Sequence, residues 1–369
     1  MADFTFSPSN ILESMADVSE TLSTLSESAG QVSETVGNAA KRGQKLLADI
    51  FKLVGYLPGK NQVLVQGTVA PGFEPVRQLF KENFLKGFEK SAQLCVYVGE
   101  EKVVDIWGSV EYCSEFGPDT LVNVFSSSKS LTSIALAKLI DTGAISYDKK
   151  IEAIWPEFAA NGKVGGKISD LMRHELGIPT LDRALDHDDV LRENIKQNKI
   201  GKIIEEQIFK DPPGTAREYH FFTRGWIANE IFRRCEESGR TIGEYLRAEI
   251  AEKLGADVYI GLTDEELENI ADLTIISPIF VALQGLLPRQ HRGVDSEIII
   301  KTLQTVIAPL FLLFKKLTSE EEAPSDPVLG IPLLRFDKLS AFFNSKECRK
   351  GEIPSANAHC SARGTILGC

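Results

Sequence analysis

The chain has 369 residues, 43% of them hydrophobic and 25% charged, which suits one large globular domain with an appendage. A net charge of −11 argues against a nucleic-acid partner, which rewards a basic face, and six scattered cysteines without a Cys-x-x-Cys pair argue against a disulfide framework. The five histidines form no ligand constellation, and neither a Gly-x-Ser-x-Gly elbow nor a Walker-type loop occurs, so neither a metal nor a cofactor is expected.

Residues 1–40 carry six acidic side chains and no lysine or arginine, which gives no support to a signal or transit peptide. With the reduced thiols, this points to an intracellular, cytoplasmic location. A seven-residue repeat runs through Val18-Ser19-Glu20-Thr21, Leu25-Ser26-Glu27-Ser28 and Val32-Ser33-Glu34-Thr35. Apolar residues from Ile11 to Val36 alternate in steps of four and three, the pattern of a short coiled-coil seam. Gly30, Gly37 and the many Ser/Thr residues weaken it, so self-association through residues 11–36 stands beside a loosely ordered tail. Residues 41–60 turn basic and apolar and end at Pro58-Gly59, which reads as a linker helix, with a membrane-surface helix as the less favoured alternative. The division expected is an extension over 1–60 and a catalytic body over 61–369.

The body proper starts near Thr68. Helical periodicity over Pro75–Lys90 predicts a buried side of Val76, Leu79, Phe80, Phe84 and Phe88. Strand-like runs at Ala92–Val98 and Lys102–Gly108 predict a hairpin turning at Gly99-Glu100-Glu101. Residues 145–350 read as mainly helices and loops. Two apolar stretches there, Thr274–Leu287 and Ile298–Phe314, are too short or too interrupted to span a bilayer and read as core helices, with peripheral membrane contact not favoured.

Between the hairpin and this region lies Phe125-Ser126-Ser127-Ser128-Lys129, opening an apolar helix that Gly143 closes. Residues i and i+3 share a face in a first helical turn, so Lys129 can reach the Ser126 hydroxyl. Serine is a weak nucleophile until a base takes its proton, and a lysine serves once burial or a nearby cation lowers its pKa. The pattern alone is not specific: Ser146-Tyr147-Asp148-Lys149 also matches and reads as a polar turn. A serine-rich helix start is equally a common capping device.

The surrounding segments narrow the choice. Ala70-Pro71-Gly72-Phe73, Phe125 to Thr132, Trp155-Pro156-Glu157-Phe158 and Ile168 through Pro179 occur in order. Pro213-Gly214-Thr215, Tyr219-His220 through Thr223, Gly225-Trp226 and Glu352-Ile353-Pro354-Ser355-Ala356-Asn357 follow. From about Thr68 to Arg363 the chain thereby resembles the β-lactamase-related serine hydrolases, which include class C β-lactamases, penicillin-binding proteins and their esterase relatives. The likeness is strongest to the esterase-like lactamase-domain branch. It implies an α+β serine β-lactamase/transpeptidase-like fold, with a helical region beside an antiparallel sheet. It also implies Ser126 as the acylated nucleophile, Lys129 as its proton acceptor and Tyr219 as a proton shuttle. The implied substrate is a small-molecule or peptide-like ester or amide. Phe221 stands where the lactamase Tyr-x-Asn motif has its asparagine, which favours esters and peptide-like amides over β-lactams.

The chain ends at Ser361 to Cys369, where members of this family continue, and contains no Lys-Thr-Gly third motif. The expectation is a domain incomplete at its C-terminus, with the 92–108 hairpin alone and no sheet to join. A catalytically impaired form serving as a binding or assembly protein is therefore the alternative function.

Overall fold

The computed structural model describes residues 63–85, 88–110, 115–274 and 336–368. The heptads of 11–36, the basic stretch of 41–60 and nearly all of the two apolar stretches after Thr274 lie outside them. The described residues fall into two compact units, one within 63–92 and 106–116, the other comprising 93–105, 117–274 and 336–368.

In the first unit β1 (Val63–Val69) is followed by α1 (Glu74–Leu85). Helix α1 buries Phe80 and Phe84, whose rings meet edge to face at 5.2 Å. Both press on Gly108, where a Cβ would come within 3.1 and 3.2 Å of the two rings and 2.8 Å of the Leu64 carbonyl oxygen. Gly108 is thus a close-approach glycine. Leu79, expected on the buried side, is solvent-exposed. It lies one position before Phe80, about 100° round the helix, and the buried stripe runs along Phe80 and Phe84 instead.

The expected hairpin is present as β2 (Ser91–Val98) and β3 (Glu101–Val110), turning at Gly99 with φ of 61°. It is not alone, and that expectation is corrected. β1 joins β3 to give a three-stranded sheet of order β1-β3-β2. The Trp107 indole N–H donates to Gln66 Oε1 at 2.9 Å across the β1–β3 pair. The partner strand starts before Thr68, the point at which the sequence pattern of the body begins.

The second unit is largely helical. β4 (Val122–Asn123) leads through a single 3-10 turn, Phe125–Ser127, into α2 (Ser128–Asp141). Helix α2 buries Leu131, Ala135, Leu136 and Leu139, one stripe at helical spacing. It stops at Thr142, whose hydroxyl donates to the Leu139 carbonyl at 2.7 Å, and Gly143 follows with φ of 79°. Ser146–Lys149 forms the expected turn, with the Lys149 N–H donating to the Ser146 carbonyl at 3.0 Å.

Beyond α3 (Ile168–Met172), α4 (Arg192–Lys196) and α5 (Lys199–Glu206), helix α6 (Thr223–Cys235) packs against α2. Every residue of α6 from Thr223 to Phe232 is buried. A short helix α7 (Ile242–Leu246) precedes β5 (Val258–Ile260). After α8 (Phe336–Asn344) and α9 (Lys346–Lys350), the chain enters β6 (Ala358–Cys360) and then α10 (Ala362–Gly368). β6 is the middle strand of a second antiparallel sheet of order β4-β6-β5, with Asn123 opposite His359 and Val258 opposite Cys360. That small sheet anchors the strand from which the Ser126 turn departs.

Cys95, Cys235, Cys348 and Cys360 are free thiols. Among the described residues no helix is long and apolar enough to cross a membrane, and no group of His, Cys, Asp and Glu could hold a metal ion.

Candidate active site

Ser126 sits in the 3-10 turn rather than within α2 itself. The residue before it, Phe125, has φ of 44°, a left-handed conformation that a bulky side chain rarely adopts. Three contacts hold it there. The Phe125 N–H donates to Asn123 Oδ1 at 2.6 Å, the Ser128 hydroxyl donates to the Phe125 carbonyl, and the Phe125 ring meets Phe343 edge to face at 5.1 Å. Ser128 Oγ also accepts the Ala358 N–H at 2.9 Å, which ties the turn to β6. The Ser126 backbone is thereby fixed at the positive end of α2.

Lys129 is only 8% exposed. Its Nζ lies 3.3 Å from Ser126 Oγ, 2.9 Å from the Phe221 carbonyl oxygen and 3.0 Å from the Ser355 carbonyl oxygen. A neutral amine has two N–H donors and one lone pair. Two fixed carbonyls take the two donors, which leaves the lone pair for the third neighbour, the Ser126 hydroxyl. Burial pulls the Lys129 pKa below the ordinary lysine range and the Arg224 charge adds to this, while the Tyr219 hydroxyl pulls the other way.

Tyr219 closes the triangle. Its hydroxyl donates to Ser126 Oγ at 2.9 Å, and Lys129 Nζ stands 4.7 Å from its ring centroid. Burial pushes the phenol up, but hydrogen bonds to Lys129 and Ser126 outweigh it, and the net shift is downward. Ser126, Lys129 and Tyr219, picked out from the sequence, therefore meet at one point. Phe221 contributes its carbonyl to Lys129, while its exposed ring packs edge to face on Tyr219 at 5.8 Å.

Four further side chains meet the site, and of these only His220, beside Tyr219, is marked in the sequence as either a structural or a catalytic histidine. His174, with φ of 64°, stacks its ring 4.7 Å from Tyr219, and its Nδ1 accepts the His220 N–H at 3.0 Å. Buried His220 accepts the Ile178 N–H on Nε2 at 3.1 Å, so its Nδ1 carries the proton and donates to the Glu218 carbonyl at 2.6 Å. Burial, with Arg224 and His220 adding, pushes His174 down to about 4, and burial likewise lowers His220. Both rings are neutral props of the Tyr219 loop near pH 7.

Arg224 and Ser355 are the other two. Arg224 is buried behind α2 and donates to the Lys129 carbonyl at 3.4 Å and to Ser133 Oγ at 2.9 Å. Ser355 presents its carbonyl to Lys129 and accepts the Gly225 N–H on its hydroxyl at 2.8 Å. The only signals in the sequence were membership of matching segments for His174 and Ser355, and adjacency to Gly225 for Arg224.

A family model described as Beta-lactamase matches residues 76–274, more than half of the chain. Over 203 residues the chain is 30% identical to the esterase/beta-lactamase LipL of Mycobacterium tuberculosis, a match covering 52% of this chain and 44% of LipL. The chain thus spans under half the length of that curated relative. Among solved structures it is similar to a penicillin-binding protein homologue from Caulobacter crescentus, with a TM-score of 0.58 and 27% identity, covering 81% of this chain and 68% of that one. It is equally similar to a family VIII carboxylesterase, with a TM-score of 0.58 and 26% identity over 82% of this chain and 69% of that one. The α+β fold is that of the β-lactamase/transpeptidase group, and the chain belongs to the beta-lactamase-related serine hydrolase family.

Proposed function

We propose that the protein is a serine hydrolase that cleaves small esters through an acyl-enzyme on Ser126. The observation that carries this reading is the convergence of Lys129 Nζ and Tyr219 Oη on one serine oxygen, at 3.3 and 2.9 Å. Ser126 Oγ attacks the ester carbonyl carbon while its proton passes to the neutral Lys129 amine. The C–OR bond breaks as the tetrahedral intermediate collapses, and the Tyr219 hydroxyl protonates the departing alkoxide. Lys129 then returns its proton directly to the phenolate, its hydrogen-bonding neighbour. Water enters by the reverse route and releases the acid.

Esters are favoured over β-lactams by Phe221. An exposed aromatic ring stands 5.8 Å from the Tyr219 ring where the lactamase motif has an asparagine amide that can hydrogen-bond a β-lactam, and a missing hydrogen-bonding partner discriminates strongly. The family VIII carboxylesterase likeness supports the same choice, while the name of LipL carries both esterase and beta-lactamase.

The test is hydrolysis of a p-nitrophenyl ester and of a chromogenic cephalosporin by the folded chain and by Ser126→Ala. The reading expects ester turnover that Ser126→Ala abolishes and little cephalosporin turnover. Ester turnover that survives Ser126→Ala, or none by a folded chain, would overturn it, and the latter result favours a binding or assembly role.

A further inference from the structure

The arginines around the site differ in one respect. Arg173 pairs with Asp170 and Glu175, Arg217 pairs with Glu175, and Arg233 and Arg234 share Glu230. Arg224 has no carboxylate partner among the described residues. It is 5% exposed, its guanidinium donates to the Lys129 carbonyl, Ser133 Oγ and Met172 Sδ, and its Nε finds no acceptor. A buried cation without a counter-ion is costly to maintain, so its location bears on what it does there.

We propose that Arg224 is a positioning residue whose unneutralised charge joins burial in favouring the neutral, proton-accepting form of Lys129, an inference that rests on the hydrolase reading of Ser126. A buried cation held on the Lys129 carbonyl repels a second positive charge on the same residue's side chain, which adds to the larger effect of burial. Guanidinium does not deprotonate in proteins, whereas a lysine does when buried. Arg224 therefore holds its charge and Lys129 yields. Its hydrogen bonds run to the backbone and side chain of α2 at Lys129 and Ser133, one turn apart, so the charge is held at a fixed place behind the helix.

Among the groups facing this pair only Tyr219 opposes the repulsion, its hydroxyl pulling Lys129 upward. From the Tyr219 loop come Tyr219 and His220, and from the turn after α3 comes His174. The histidines are neutral, and Arg217, which faces His174, is held by Glu175. On α6 itself Glu230 is engaged by Arg233 and Arg234. Tyr219 is the one group there that gains from the cation, since a positive neighbour favours its phenolate.

The test is an NMR titration of the full chain carrying lysine labelled with carbon-13 at Cε, with the Lys129 signal assigned by its loss in Lys129→Arg. It is repeated in Arg224→Gln, which keeps hydrogen-bonding capacity, and in Arg224→Met, which keeps apolar volume. The inference expects Lys129 to titrate below ordinary lysines in the unsubstituted chain and to move up in both variants alike. The acidic limb of the pH profile of ester kcat/KM should move up with it, with KM little changed. A Lys129 titration that stays in place in either folded variant overturns the inference. So does an upward move in Arg224→Met alone, which would mark the hydrogen bonds rather than the charge. If neither variant folds, the unsubstituted chain decides, because a Lys129 that titrates as an ordinary lysine refutes the inference. Low Lys129 titration without ester turnover sinks only the hydrolase reading, and turnover with an ordinary Lys129 sinks only this one.

Discussion

The Tyr219 hydroxyl lies 2.9 Å from Ser126 Oγ although 93 positions separate the two residues in the chain. Ser126 is carried by the turn that follows β4, and Tyr219 by the loop before α6. Their meeting depends on the packing of α6 against α2. Tyr219 is 48% exposed, so its hydroxyl contributes little to packing. Tyr219→Phe should lower ester kcat by about 10²–10⁴-fold, the range for loss of a general acid–base group. Urea denaturation should find stability changed by no more than about 0.5 kcal/mol.

Ser128 clamps the turn that carries Ser126. It donates to the strained Phe125 carbonyl and accepts the buried Ala358 N–H. Ser128→Ala leaves that N–H without its partner, and a buried unsatisfied donor costs about 1–3 kcal/mol. Denaturant midpoints should show a loss of that order, and kcat should fall although no atom of Ser128 reaches the reacting centre.

Gly225 is where α6 and the Ser355 segment touch. A Cβ there would stand 2.5 Å from the Ser355 backbone nitrogen and 2.6 Å from its Oγ. Gly225→Ala must push the segment away, at about 1–3 kcal/mol for overpacking of this kind. Because the Ser355 carbonyl is one of the two acceptors that orient Lys129, ester kcat should fall as well, which a thermal melt paired with an activity assay will separate from simple unfolding.

Acid sensitivity follows from three histidines. Burial pushes His174 and His359 down to about 4 and lowers His220. In the unfolded chain each titrates near 6.5. Between these values the unfolded chain binds protons that the folded one refuses, so stability is complete above pH 6.5 and declines as pH falls toward 4. Urea midpoints measured at pH 7.5 and pH 5 should show the lower value at pH 5. In His359→Gln the difference between the two pH values should shrink.

The sequence made Ser126, Lys129 and Tyr219 legible because motif spacing is a property of side-chain identity. The α2 stripe and the β2–β3 turn were legible for a related reason, since periodicity and Gly99 record backbone geometry directly. Lys129's acceptors were not, because the carbonyls of Phe221 and Ser355 belong to the backbone and leave no signature in residue type. Arg224 was passed over between the matching residues Thr223 and Gly225, as nothing in a sequence says whether an arginine has found a carboxylate. β1 was missed as the partner of the hairpin because its run, Val63 to Val69, straddles the point at which the recognisable body begins. Leu79 was misplaced because a one-position error in helical phase turns a side chain about 100° round the helix.

The most direct test of the central claim, that Ser126 is the activated nucleophile, is mass-spectrometric mapping of the adduct left by a fluorophosphonate ester. The account predicts a single phosphonyl group on Ser126, slower labelling in Lys129→Met and Tyr219→Phe, and no labelling of Ser126→Ala. An adduct on another residue, or equal labelling of the Ser126→Ala chain, would contradict it.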